Sequence, residues 1–106
     1  MKRFTDILPT LENAEHIQRI DLFNPDGSRA GKIENKPGSA GSVRVYHHLW
    51  KKHGAITVEA AKEGLKIYAE HTEDAENNPD KHPNIDRLFS IIESSKPLTV
   101  EITKQE

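Results

Sequence analysis

Apolar and polar residues alternate in two short segments near opposite ends of the chain, and this pattern restricts the fold more than any other feature. In residues 17–23, Ile20 and Leu22 alternate with Arg19 and Asp21, and the same period of two recurs in residues 98–103. A period of two is typical of a strand with one buried face. Between these segments the apolar residues follow helical spacing instead. The chain is therefore predicted to form a sheet from its two ends and helices from its middle.

The first alternating segment continues into a predicted hairpin. The tetrapeptide Asn24-Pro25-Asp26-Gly27 follows it, and proline presets φ for a tight turn while glycine accepts the left-handed conformation. Residues 29–34 return as a second strand. This strand contains Gly31 and only one large apolar residue, Ile33, so we predict that it lies at an edge. The C-terminal strand should pair with this hairpin.

Helical spacing predicts a long helix over residues 58–76, shorter helices over 42–53 and 84–94, and a short N-terminal helix that Pro9 interrupts. Gly64 inside the long helix costs about 1 kcal/mol relative to alanine at an exposed position, which indicates close approach of another element. The predicted class is α+β: a three-stranded antiparallel or mixed sheet covered by three to four helices. No second core is visible, so residues 1–106 form one domain.

Composition limits the function further. Of the 106 residues, 34% are apolar and 30% charged, so the core is modest and we expect a homodimer to extend it. The net charge of −2 gives no general attraction for nucleic acid or an anionic membrane. The absence of cysteine excludes disulfides and thiolate metal sites. The N-terminus lacks the apolar run of a signal peptide, and we expect a cytoplasmic protein.

The segment Asn35–Ser42 is the main candidate binding site. It contains two glycines, a proline and two serines immediately before a predicted helix. Free backbone N–H groups at a helix start bind phosphate or carboxylate. A plain strand-to-helix connection capped by a serine has the same composition, so the pattern leaves both interpretations open. The predicted ligand-binding residues are Asn35, Lys36, Gly38, Ser39, Gly41 and Ser42, together with Tyr46 and His47 on the apolar face of the following helix.

A histidine with neighbouring carboxylates forms the alternative candidate site. His71 and Asp74 are three residues apart on the predicted long helix, and Glu70 precedes them. Such a group could form an acid–base pair or contribute metal ligands. However, no established metal-binding or nucleophile–base motif is present, and partly buried histidines bonded to neighbours would have the same pattern. We therefore predict no metal and no cofactor.

Three segments, Ile33–Ser42, Ala69–Ala75 and Lys81–Leu88, are similar to a small bacterial family of uncharacterised proteins, domain of unknown function 2322. The resemblance spans nearly the whole chain and implies bacterial origin and a single domain. It implies no activity and assigns no functional residue. The sequence thus favours a non-enzymatic module that binds a small anion or another protein. The alternative is a small acid–base or metal-dependent enzyme that uses His71, Asp74 and Glu70.

Overall fold

A computed structural model describes residues 2–105. These residues form an α+β fold with one three-stranded sheet and five helices. The elements, in chain order, are α1 (Phe4–Ile7), a 3-10 turn (Leu8–Thr10), β1 (Ile17–Phe23), β2 (Arg29–Glu34), α2 (Ala40–His53), α3 (Val58–Tyr68), α4 (Glu70–Asn77), α5 (Pro83–Ser94) and β3 (Thr99–Lys104).

The sheet has the strand order β2-β1-β3, and both pairings are antiparallel. The first two strands have the predicted bounds, and the β2 strand lies at an edge, as its weak apolar pattern predicted. Ile20 pairs with Ile33 on one side and with Ile102 on the other. This register aligns the apolar faces of all three strands, so the predicted pairing of the C-terminal strand with the hairpin is confirmed.

The helices cover one face of the sheet. Ile20 and Leu22 are fully buried beneath them, together with Val43 and Leu49 of α2. The opposite face of the sheet carries charged side chains. Asp21 on this face is only 5% exposed, and Arg19 and Arg29 donate to its two carboxylate oxygens at 2.8 and 2.6 Å. Among residues 2–105, no helix combines the length and hydropathy needed to span a bilayer.

The prediction of one continuous helix over residues 58–76 is wrong. The chain breaks at Ala69, whose φ of 51° and ψ of −116° end α3 and start α4 in a new direction. The Ala69 amide donates to Lys66 and not to Leu65, and the hydroxyl of Thr72 donates to the Leu65 carbonyl at 2.5 Å. The threonine thus replaces the lost helical bond. The break explains why the fold has five helices, more than the predicted three to four.

Two further features refine the prediction. The α2 helix begins at Ala40, two residues earlier than predicted, so Gly41 and Ser42 lie in its first turn. The prediction that another element approaches Gly64 is confirmed: a Cβ atom there would lie 2.7 Å from Leu88 Cδ1 of α5 and 3.0 Å from Leu49 Cδ1 of α2. Glycine at this position lets α3 pack closely against both helices.

Candidate functional site

A cavity of about 430 Å³ lies between the first turns of α2 and α5. Residues from α1, from the C-terminal end of α3 and from α4 complete its wall. We call it the junction cavity. It brings Gly38, Gly41 and Ser42 of the predicted loop together with His71 of the predicted acid–base group. None of its lining residues is an aspartate or a glutamate: they are Phe4, Gly38, Ala40, Gly41, Ser42, Tyr68, His71, Lys81, His82, Pro83, Asn84 and Ile85.

Two helix starts supply free donors to this cavity. The amides of Ala40 and Val43 donate to the carbonyls of Lys36 and Ser39, but those of Gly41 and Ser42 find no acceptor among residues 2–105.

At the start of α5, Pro83 has no N–H, and the Asn84 amide likewise has no acceptor within the described chain. Each helix also has the positive end of its dipole here. The cavity is therefore lined by unused donors from two directions.

The preceding turn depends on a different glycine. Gly38 has a φ of +95°, a conformation that glycine adopts without strain, whereas Gly41 is helical. The positive φ of Gly38 turns the chain into α2. The space beside Gly38 is open, since a Cβ atom there would meet nothing within 4 Å.

A pair of bonded hydroxyls adds a fourth donor to the three free amides. The Tyr68 hydroxyl donates to Ser42 Oγ at 2.8 Å. Burial raises the pKa of Tyr68 above its usual value, so the phenol stays protonated at neutral pH. Because Ser42 accepts this bond, its own hydroxyl hydrogen remains available to a ligand. The Phe4 ring stacks on Tyr68 with centroids 5.4 Å apart and gives this part of the wall an apolar surface.

Two histidines and a lysine occupy another part of the wall. The rings of His71 and His82 lie 5.7 Å apart, and Lys81 lines the same side. Just behind them, Asp74 accepts from His82 Nε2 at 2.6 Å and from Lys81 Nζ at 3.0 Å. These hydrogen bonds lower the pKa of Asp74, so the carboxylate is ionised and His82 is the donor. Asp74 orients His82 and Lys81 and offsets part of the positive charge at the wall.

Three of the predicted site residues lie outside the cavity and hold the loop in place. The Asn35 side-chain amide donates to the carbonyls of Ala14 and Ile17 at 3.2 and 2.6 Å. Ser39 Oγ donates to the Glu34 carbonyl at 2.5 Å and makes no side-chain bond to the helix that it precedes. The Lys36 ammonium is exposed and pairs with Glu34 at 3.2 Å.

The remaining predicted residues are also separated from the cavity. Tyr46 is fully buried and donates to the Asn84 carbonyl at 2.5 Å. His47 is 3% exposed and packs against His16 and Trp50 away from the loop; burial lowers its pKa.

Glu70 lies beside the cavity, where its carboxylate accepts the Phe4 amide at 2.7 Å and thereby anchors α1. Asp74 bonds His82, whereas the sequence had suggested His71 as its partner. The spacing of Glu70, His71 and Asp74 along α4 thus points the three side chains to different neighbours.

Sequence reasoning did not select His82, Lys81, Asn84, Tyr68 or Phe4 as site residues. One local signal could have drawn attention to residues 81–84. Proline is favoured at the first position of a helix, so Pro83 marks a second helix start, with its free amide at Asn84. Nothing in the sequence shows that this start meets that of α2.

The lining residues offer hydrogen-bond donors and no carboxylate. In the described part of the chain, no three histidine, aspartate or glutamate side chains converge in a geometry that would hold a metal ion. The groups that do converge on the junction cavity are amides, hydroxyls, imidazoles and one ammonium, which bind oxyanions.

Comparison with curated proteins found no match, and comparison with solved structures found none either. A family model described as "Uncharacterized protein conserved in bacteria (DUF2322)" matches residues 4–102. This match covers almost the whole fold, including every residue that lines the junction cavity. The chain therefore belongs to this family of uncharacterized proteins conserved in bacteria, domain of unknown function 2322.

Proposed function

We propose that this protein is a binding module that holds a small anionic ligand, such as a phosphate or carboxylate compound, in the junction cavity. The observation that carries the proposal is the chemistry of the lining: three free amides, the Ser42 hydroxyl, two histidines and Lys81 surround a cavity without a lining carboxylate. Such a set of donors stabilises a negative charge, and it provides no carboxylate that would bind a cation.

The size of the cavity and its apolar part limit the ligand to a small molecule. A volume of about 430 Å³ falls within the range of small-molecule pockets. The stacked rings of Phe4 and Tyr68, together with Ile85, give an apolar surface beside the donors. A ligand with an anionic head and a short apolar body would use both surfaces.

Thermal unfolding with inorganic phosphate tests this proposal. A ligand that binds only the folded state at a hundredfold excess over its dissociation constant stabilises that state by about 2.7 kcal/mol. We expect phosphate to raise the Tm relative to sodium chloride of equal ionic strength. The increase should shrink in His71→Ala and persist in Lys36→Ala, because Lys36 is charged but lies outside the cavity. Equal increases in both variants, or no increase in the wild type, would contradict the proposal.

Acid–base catalysis is a second candidate function for the same cavity. The 2.6 Å bond between Asp74 and His82 Nε2 is the observation that favours it, since a carboxylate that orients a histidine is common in general-base catalysis. Binding is favoured over catalysis because Ser42 is bonded to Tyr68 and, among residues 2–105, no histidine bonds its hydroxyl. If the wild type hydrolyses a p-nitrophenyl ester and Asp74→Asn does not, the result would support catalysis. Equal hydrolysis rates in the wild type and the variant would contradict it.

A further inference from the structure

A group of arginine and lysine side chains lies on the other side of α5, and its central residue is Arg87. The guanidinium group lies against the backbone of β2 at Gly31. A Cβ atom built on Gly31 would lie 2.7 Å from Arg87 Nη2 and 3.3 Å from Cζ. Glycine weakens a strand, and here its lack of a side chain makes room for the guanidinium.

Neutral groups hold Arg87 in this position. Its Nη1 donates to Asn84 Oδ1 at 2.9 Å and to the Tyr46 hydroxyl at 3.3 Å, and its Cζ lies 5.7 Å from the centre of the Tyr46 ring. Within the described chain, no carboxylate lies within ion-pairing distance of this guanidinium, and its Nε and Nη2 make no hydrogen bond. Arg87 is thus a half-buried, fixed cation with unused donors and without a counter-ion.

The cleft beside it has the size and charge to accept an anion. It measures about 440 Å³ and runs between the β1–β2 hairpin and α5; we call it the hairpin cleft. Its charged lining residues are Arg29, Arg87, Lys96 and Asp86. Arg29 is already paired with Asp21 at 2.6 Å, so Arg87 and Lys96 supply the remaining positive charge. The Asp86 carboxylate already accepts the Asp80 amide at 3.0 Å. Hydroxyls of α5, including that of Ser90, add neutral donors.

We propose that the hairpin cleft is a second binding site, separate from the junction cavity, for the phosphate or carboxylate group of a small molecule. The guanidinium of Arg87 is the central contact, since it carries a fixed positive charge without a counter-ion in the described chain and its N–H groups can donate to an oxyanion. Lys96 adds a screened charge at the rim. The proposal does not depend on the proposed function, because the two cavities use different donors.

Titration with inorganic phosphate at constant ionic strength, followed by amide and arginine side-chain NMR, tests this site. We expect saturable shifts of the Arg87 Nε–Hε, Gly31 and Ser90 signals. Because hydrogen bonds to a charged group are strong, Arg87→Gln should weaken this binding by about tenfold or more. Lys96→Ala should weaken it less, and His71→Ala should leave it unchanged, which separates it from binding in the junction cavity.

A second variant controls for misfolding of Arg87→Gln. Gly31→Ala keeps every charge and displaces the guanidinium, so it should also weaken phosphate binding while its unliganded spectrum stays native-like. Titration with acetate identifies the anion: shifts of the same signals would assign the site to carboxylates as well as phosphates. The proposal is overturned if neither anion moves the Arg87 and Gly31 signals, or if both variants bind phosphate as tightly as the wild type.

Discussion

Replacing Gly64 with alanine should destabilise the protein, although alanine is the better helix former. The methyl group would lie 2.7 Å from Leu88 Cδ1 and 3.0 Å from Leu49 Cδ1, and both leucines are fully buried. Alanine gains about 1 kcal/mol of helix propensity over glycine, whereas overpacking a core costs about 1–3 kcal/mol. The expected net effect is a loss of about 1 kcal/mol in the free energy of unfolding.

The chain offers a matched control at Gly41, which is also helical. A Cβ atom there would lie 3.6 Å from Leu8 and Phe4, an ordinary van der Waals contact. Gly41→Ala should therefore gain up to about 1 kcal/mol from helix propensity alone. Urea denaturation measures both variants, and the midpoint should move in opposite directions while the slope stays constant.

A double variant tests the proposed cause directly. Leu88→Ala alone opens a cavity and should cost about 2–5 kcal/mol. In Gly64→Ala/Leu88→Ala the new methyl faces the space that the leucine has left, so the combined loss should be smaller than the sum of the two single losses. If Gly64→Ala is as stable as the wild type, or if the two losses simply add, the close packing of α3 against α5 does not explain this glycine.

Three further predictions concern charge, strain and assembly. Burial alone would raise the pKa of Glu63, but hydrogen bonds from His53, His48 and Lys52 outweigh it and lower the pKa from 4.5 to about 2. The stability from this shift, at most about 3 kcal/mol, is complete above pH 4.5 and should be lost as the pH falls toward 2; acid unfolding of Glu63→Gln should lack this component. Ala69→Gly should raise the Tm, because glycine adopts positive φ without strain; an unchanged Tm would argue against strain at the break. Sedimentation at micromolar concentration should show twice the chain mass, since both outer strands leave an edge open for pairing; a monomer at every concentration would refute the expected homodimer.

Periodicity predicted most of the fold because the residues that form each element are neighbours in sequence. The bounds of β1 and β2 follow from alternation, and the edge position of β2 follows from Gly31 and the single large apolar residue Ile33. The break at Ala69 was missed because the segment contains neither proline nor glycine there. The Thr72 hydroxyl compensates for the lost helical bond by donating to the Leu65 carbonyl, a contact that no helical pattern reveals.

The candidate site was only partly predictable, for a related reason. The glycine and serine content pointed to Gly38, Gly41 and Ser42, which line the junction cavity. His82 and Asn84 join them only because α5 starts beside α2 in three dimensions. Asn35, Lys36 and Ser39 share the same local composition but are bonded to the hairpin and the chain before it. Composition therefore identified the segment but could not show which of its residues line a cavity.

The most direct test of the central claim is an amide NMR titration of the junction cavity with inorganic phosphate at constant ionic strength. The amides of Gly41, Ser42 and Asn84 have no acceptor among residues 2–105. An anion in the cavity would accept from them, so their signals should shift downfield together and saturate along one binding curve. If these three signals stay in place while phosphate reaches high concentration, the junction cavity does not bind anions and the proposed function is wrong.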